Sequence, residues 1–207
     1  MYIITKQFSL CFGHRVHSQT LDPVLACTSE CKCRHLHGHQ GEIIVKLGAE
    51  DLKDGMVTDF HHLNWFKKFI DQYFDHKMIL DVDDPYLPIM LDEYPMPLMD
   101  DVSGIDREWK RFIYQIHSLF IPDYNSVLEY SRLFVPQKAA VAITEILEGL
   151  VVVNFVPTSE NFAKMFSNII AIKLEEMLSK EDAERIWIIA VEFKETPKTS
   201  SIYSGGA

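Results

Sequence analysis

Two cysteines and three histidines lie within nine residues of this chain, in the run Cys31-Lys32-Cys33-Arg34-His35-Leu36-His37-Gly38-His39. Thiolates act as bases, nucleophiles and metal ligands, and neutral imidazoles bind zinc and similar ions. Because side chains two residues apart point the same way from a β-strand, His37 and His39 can reach one ion together. The run therefore predicts a metal site beside a reactive cysteine.

A third imidazole can come from an earlier strand. Residues 2–12 carry apolar side chains on one parity, the period of a half-buried strand, and His14 continues that parity. Zinc bound by three imidazoles keeps a fourth position for substrate oxygens, which is a catalytic arrangement. The sequence therefore predicts His14, His37 and His39 as ligands of Zn²⁺.

Spacing alone leaves other interpretations of these residues open. His17 and His35 compete for the ligand roles, and His35 has the same parity as the His-Gly-His pair. A structural zinc site could instead combine Cys27, Cys31 and Cys33 with a histidine, although such sites usually take their cysteines as two separate pairs. A histidine-rich polar loop without metal is the third interpretation.

Composition limits the class of function. The chain has 207 residues, is 47% hydrophobic and carries a net charge of −10, so it can bury a core and is a poor candidate for binding nucleic acid. Its first residues lack a secretory pattern, and no apolar run reaches the length of about eighteen residues that crosses a membrane. We therefore expect a cytoplasmic protein with reduced cysteines and a small-molecule partner.

Periodicity predicts an α+β arrangement of secondary structure. Strands are expected at residues 2–12, about 40–48, 151–155 and 185–195, and Glu195 closes the inward face of the last one. One amphipathic helix should follow Asp59 as its N-cap and end before Asp75, and another should follow Thr158 as its N-cap.

A segment of different composition interrupts this pattern of strands and helices. Residues 81–97 are rich in proline and aspartate, and residues 109–149 then show helical spacing of apolar side chains. We therefore predict one domain, residues 1–207, with a mostly helical insertion at 81–150.

Short blocks spread along the chain carry a family resemblance. They are His14-Arg15-Val16-His17-Ser18, Cys33 with His37-Gly38-His39, Gly55-Met56-Val57-Thr58-Asp59-Phe60, Asp75-His76, Pro157-Thr158-Ser159-Glu160-Asn161, and Glu195-Thr196 followed by Ile202-Tyr203. In order and spacing they resemble the 6-pyruvoyl-tetrahydropterin synthase family, and within it the 6-carboxytetrahydropterin synthases of 7-deazaguanine and queuosine synthesis. The resemblance covers residues 1 to about 80 and 150–207.

The resemblance implies a fold and an activity. The expected fold is the tunnelling fold, an antiparallel four-stranded sheet with two helices on one face, assembled as homotrimers or hexamers. The expected enzyme is a zinc-dependent lyase that converts 7,8-dihydroneopterin triphosphate to 6-carboxytetrahydropterin, acetaldehyde and triphosphate. A pyruvoyl-tetrahydropterin synthase and a non-catalytic zinc- or pterin-binding protein are the alternatives.

The resemblance also implies roles for individual residues. Cys33 is the expected general base, His76 its partner in proton transfer and Asp75 the residue that orients His76. Glu195 is expected to anchor the pterin and to take part in the proton relay. Pterin contacts are expected from three consecutive residues, namely Thr158, Ser159 and Glu160.

Two cysteines compete for the role of the base. Cys33 has the spacing to the His-Gly-His pair found in carboxytetrahydropterin synthases, whereas Cys31 has the spacing found in pyruvoyl-tetrahydropterin synthases. The residues around Cys33 resemble the bacterial pattern more fully, so Cys33 is the predicted base.

Overall fold

The structure is a computed structural model that describes residues 1–20, 31–87 and 149–205. The chain divides into two compact units. The first comprises Met1–Phe12, Gly38–Asp75 and Thr158–Ala207, and the second comprises Gly13–His37 and His76–Pro157. The predicted helices of the insertion fall on residues that lie outside the described part.

The described residues form six strands and three helices. The strands are β1 (Tyr2–His14), β2 (His37–Ala49), β3 (Lys77–Asp81), β4 (Leu150–Val153), β5 (Trp187–Thr196) and β6 (Thr199–Tyr203). The helices are α1 (Asn64–Tyr73), α2 (Ser159–Met177) and α3 (Lys180–Arg185), with 3-10 turns at Lys32–Arg34 and Phe60–Leu63. Within the described residues, no helix is long and apolar enough to cross a membrane.

The sheet of the first unit follows directly from a period of two. Its strands lie side by side in the order β1, β2, β5, β6. Strand β5 pairs antiparallel with both β2 and β6. Alternate residues of β2, namely Ile43, Val45 and Leu47, are fully buried, as their parity predicts.

Two helices cover one face of this sheet. The ring of Phe66 on α1 lies 5.1 Å from that of Phe8 on β1 and 5.6 Å from that of Phe166 on α2. Phe166 also lies 6.1 Å from Phe193 on β5. Edge-to-face and offset rings at these separations form a well-packed core. The predicted α+β class and the two helices on one face are confirmed.

Polar side chains fix where the two helical segments begin. The Thr158 hydroxyl accepts a hydrogen bond from the Asn161 backbone N–H at 3.4 Å, which makes it the N-cap of α2 as predicted. Asp59 accepts the His61 backbone N–H at 2.8 Å and therefore caps the 3-10 turn that leads into α1. The predicted cap is present, but it lies one short turn before the helix itself.

The second unit contains a parallel strand pair that the sequence reasoning did not anticipate. The strand expected at 151–155 is observed as β4, and it pairs parallel with β3, with Ile79 opposite Val151. Leu80 of β3 and two residues of β4, Leu150 and Val152, form a small core with Leu87, which follows β3. The predicted strand is therefore correct in kind, but its partner β3 and the terminal strand β6 were missed.

Arg185 on α3 holds a turn of the first unit in place. Its Nη1 donates to the Asp51 carbonyl at 3.0 Å and its Nη2 donates to the Val57 carbonyl at 2.7 Å. These two carbonyls flank the tight turn at Asp54-Gly55, where both residues have left-handed φ values of 52° and 78°. Arg185 therefore clamps the turn from both sides.

We predict that Arg185→Met lowers the free energy of unfolding by about 2 kcal/mol, because two hydrogen bonds from a charged donor are lost. Urea denaturation measures the change. Lys180→Met, which removes an exposed cation from the same helix, is the matched control and should change the free energy by less than about 0.5 kcal/mol. Equal effects of the two substitutions would contradict the clamp.

Candidate metal and active site

Three imidazoles meet where β1 ends and β2 begins. His14 is the last residue of β1, and His37 and His39 are the first and third residues of β2. One side-chain nitrogen from each lies within 4.8 Å of the others, and the rings of His14 and His37 are 4.6 Å apart. Three histidine side chains that can hold a metal ion are therefore present, as their spacing predicts.

Backbone carbonyls fix the tautomers of two of these rings. Nδ1 of His14 lies 2.6 Å from the carbonyl oxygen of Pro157, and Nδ1 of His37 lies 2.7 Å from that of His35. A carbonyl oxygen only accepts, so each Nδ1 must carry the proton. Nε2 of a neutral ring then keeps its lone pair, which is the form that binds a metal. The donor set therefore fits an ion that prefers neutral imidazole nitrogen.

His39 is positioned by an aromatic ring and a carboxylate. The ring of Phe12 on β1 lies 5.6 Å from the His39 ring. Oε1 of Glu195, at the end of β5, lies 3.7 Å from Nε2 of His39, which is longer than a hydrogen bond. Glu195 thus stands beside the histidine cluster.

The competing ligands do not join this cluster. Nε2 of His17 lies 3.0 Å from Oδ2 of Asp81, so His17 is engaged in a different polar pair. His35 is exposed and directly follows a 3-10 turn. Strand β2 begins only at His37, so the alternation that gives His37 and His39 a common face does not extend back to His35. Cys27, required for the alternative cysteine site, lies outside the described residues.

Cys33 lies in the middle of the 3-10 turn Lys32–Arg34 and is exposed. Its carbonyl oxygen accepts the backbone N–H of Val16 at 2.8 Å, which ties the turn to the segment just after His14. Its sequence neighbours Lys32 and Arg34 are cations, and positive charge nearby favours a thiolate. Cys31, the competing base, is half-buried and directly precedes the turn.

Asp75 and His76 follow the end of α1. Oδ1 of Asp75 accepts the backbone N–H of Cys11 on β1 at 2.6 Å, which holds its carboxyl group against the strand. His76 has a left-handed backbone with φ of 58°, an uncommon and mildly strained state for a residue with a side chain. Such strain persists where the surrounding structure requires a particular backbone direction.

The predicted pterin contacts cluster at the start of α2. The hydroxyl oxygens of Ser159 and Ser201 lie 2.7 Å apart. The pKa of Glu160 is lowered chiefly by a hydrogen bond from its own backbone N–H, and further by the hydroxyls of Thr158, Ser201 and Ser159. Glu160 therefore stays ionised at neutral pH and can accept hydrogen bonds from N–H donors.

Sequence reasoning missed two groups in this region. The carbonyl of Pro157 gives no side-chain signal, since any residue type supplies one. Ser201 lies on β6, a strand that was not predicted. The only feature of the sequence that could have indicated Ser201 is its place in a polar Thr-Ser-Ser run, and such a run is equally typical of a loop.

The fold and the histidine cluster together define an α+β protein that can bind a metal through three imidazoles. The family model described as 6-pyruvoyl tetrahydropterin synthase matches residues 3–206. The chain therefore belongs to the 6-pyruvoyl tetrahydropterin synthase family.

Curated relatives match shorter segments of the chain. The 6-carboxy-5,6,7,8-tetrahydropterin synthase of Aquifex aeolicus is 37% identical over 95 residues, which cover 43% of this chain and 59% of the relative. The protein of the same name from Rickettsia conorii is 44% identical over 82 residues, which cover 39% of this chain and 52% of the relative. The chain thus spans a little over half the length of these relatives.

Solved structures match nearly the whole chain. An uncharacterised protein from Wolinella succinogenes has a TM-score of 0.71 and 35% identity, and the match covers 99% of this chain and 98% of that one. The 6-pyruvoyl tetrahydropterin synthase of Plasmodium falciparum has a TM-score of 0.51 and 14% identity, with 98% and 96% covered. The second likeness concerns the fold alone, and it supports the expected tunnelling fold.

We predict that His14→Ala, His37→Ala and His39→Ala each weaken zinc binding by more than about 100-fold, because loss of a direct ligand exceeds the loss caused by removing a ligand's hydrogen-bond partner. Competition with a chromophoric chelator measures the dissociation constant.

His35→Ala is the matched control, since it removes an exposed imidazole next to the cluster and keeps the backbone carbonyl that His37 uses. The zinc dissociation constant of this variant should stay within about threefold of the original value, a much smaller change than the one expected when a ligand is lost. If His35→Ala weakened binding as much as His37→Ala, the ligand set would be wrong.

Proposed function

We propose that this chain is a zinc-dependent 6-carboxytetrahydropterin synthase, a lyase that converts 7,8-dihydroneopterin triphosphate and one water molecule to 6-carboxytetrahydropterin, acetaldehyde and triphosphate. The observation that carries the proposal is the cluster of His14, His37 and His39, in which two rings have their Nδ1 protons held by backbone carbonyls. A cluster of three metal-binding histidines in a member of the pterin synthase family supports the proposal that the reaction takes place at this cluster.

The carboxy product is favoured over the pyruvoyl product by two observations. The curated relatives at 37% and 44% identity carry the name 6-carboxy-5,6,7,8-tetrahydropterin synthase. In addition, both cysteine spacings are present, but the residues between Cys33 and His37-Gly38-His39 resemble this branch more fully. The pathway we propose is the synthesis of 7-deazaguanine compounds, including queuosine.

Zinc is the ion we propose for the histidine cluster, because three neutral imidazoles with a fourth open position match its usual catalytic coordination. When bound, zinc would stabilise negative charge that develops on substrate oxygens. The neighbouring carboxylate of Glu195 would anchor the pterin by accepting its ring N–H groups, and an ionised acceptor makes such hydrogen bonds strong.

Proton transfer is assigned to side chains around β1. The Cys33 thiolate would remove a proton from the substrate side chain, and His76 would receive or return it. Asp75, whose carboxyl group is fixed by the Cys11 backbone N–H, would orient the His76 ring. Thr158, Ser159 and Glu160 would contact the pterin from the start of α2.

The proposal extends to the setting of the protein. We propose that it works in the cytoplasm as a homotrimer or hexamer, as the family resemblance implies. The pterin substrate is its small-molecule partner, and nucleic acid and membrane are not part of the proposed function.

We predict that the zinc-loaded protein, incubated with 7,8-dihydroneopterin triphosphate, releases 6-carboxytetrahydropterin and acetaldehyde, and that a chelator abolishes the reaction. Cys33→Ser should lower kcat by at least about 100-fold, since general-base catalysis contributes about 100-fold or more. Mass spectrometry of the products measures both effects. Cys31→Ser is the matched control. Its kcat should stay within about threefold of the original value, a much smaller change than the fall expected when the general base is lost.

Each other outcome identifies a different error. A pyruvoyl product would replace the carboxy assignment by the pyruvoyl one. Loss of turnover in Cys31→Ser alone would move the base to Cys31. Tight zinc binding without any turnover would favour the non-catalytic binding protein.

A further inference from the structure

A buried ion pair is formed by the residue that directly follows β1. Arg15, the residue that follows His14, has a side chain that is 4% exposed, and its Nε lies 3.3 Å from Oδ2 of Asp84, whose side chain is fully buried. The guanidinium carbon of Arg15 also lies 3.4 Å from the centre of the Tyr86 ring. A buried cation between a carboxylate and an aromatic face has little freedom to move.

The carboxylate partner is itself held in place by the turn after β3. The Asp84 backbone N–H donates to the Asp81 carbonyl at 3.0 Å, and Oδ1 of Asp84 accepts the Tyr86 backbone N–H at 2.8 Å. The Leu87 backbone N–H donates to the Asp84 carbonyl at 2.9 Å, and the Leu87 side chain is in the small core of the second unit. The turn is therefore a rigid support for Arg15.

A second contact binds the same stretch to the same support. Nε2 of His17 lies 3.0 Å from Oδ2 of Asp81, the last residue of β3. Arg15 and His17 are thus both held by the end of β3 and its turn. Val16 lies between them, and its backbone N–H donates to the carbonyl of Cys33 at 2.8 Å.

We propose that Asp84 and Tyr86 are positioning residues for the reaction. They hold Arg15, so that the stretch 15–17 keeps the Val16 N–H directed at the Cys33 carbonyl and thereby fixes the Cys33 turn next to His14. This inference rests on the proposed role of Cys33 as the base. It assigns a function to the first residues of the insertion, which no part of the proposed reaction otherwise uses.

The test compares two pairs of matched variants. Asp84→Asn removes the buried charge, and Asp83→Asn makes the same change at an exposed neighbour. Tyr86→Leu removes the aromatic face over Arg15, and Tyr86→Phe retains it. Because Tyr86 is 41% exposed, its variants should fold even where Asp84→Asn does not.

Two readouts are measured on the zinc-loaded protein, namely hydrogen exchange of single amides by NMR and steady-state turnover. Asp84→Asn and Tyr86→Leu should speed exchange of the Val16 amide at least about tenfold, and exchange of Val45 in the β2 core should not change. The same variants should lower kcat by about 10- to 100-fold at unchanged zinc content, the range found when a group that orients an active residue is lost. Asp83→Asn and Tyr86→Phe should match the original protein.

Faster Val16 exchange without a fall in kcat would overturn the positioning role, and so would a fall in kcat without faster Val16 exchange. Faster exchange at Val45 as well would show general destabilisation and would also overturn it. If the unmodified protein shows no turnover, the proposed function fails. The exchange data then still decide whether Asp84 and Tyr86 hold the Val16 to Cys33 hydrogen bond.

Discussion

The site depends on one buried hydrogen bond, from Nδ1 of His14 to the carbonyl oxygen of Pro157. His14 is fully buried, so a polar nitrogen without such a partner would be costly. The carbonyl satisfies Nδ1 and, because it can only accept, leaves Nε2 as the nitrogen with a lone pair. The same bond joins the end of β1 to the residue that precedes the Thr158 cap of α2. A single contact therefore links the candidate metal ligand His14 to the segment where α2 begins.

Strand β1 and the residues just after it also hold other side chains and turns of the candidate site through backbone hydrogen bonds. Its backbone N–H at Cys11 holds the carboxyl group of Asp75, and the N–H of Val16 just beyond its end holds the carbonyl of Cys33. The candidate base, the carboxylate proposed to orient the candidate relay, and a candidate metal ligand are thus held by neighbouring parts of one chain segment. A strand is a suitable element for this purpose because its spacing is fixed by its pairing with neighbours and its residues alternate strictly between faces.

Much of this arrangement could be predicted from the sequence, and what was missed has a physical explanation. Period-two alternation correctly gave β1, β2 and the shared face of His37 and His39, since side-chain direction in a strand depends only on parity. The same rule left His35 open as a ligand, because the sequence does not show that β2 begins two residues later. Strand β3 is a short run, Lys77–Asp81, without alternation, so its parallel pairing was not visible. The contacts of Arg15 with Asp84 and Tyr86 join residues far apart in sequence, and no local pattern encodes them.

Zinc K-edge X-ray absorption on the zinc-loaded protein tests the central claim most directly. A site made by His14, His37 and His39 predicts nitrogen and oxygen neighbours only, at about 2.0–2.1 Å, with the multiple-scattering signature of three imidazoles. Sulfur neighbours at about 2.3 Å would show that cysteine binds the ion, and would contradict both the proposed ligand set and the proposed separation of the metal ligands from the thiol of Cys33.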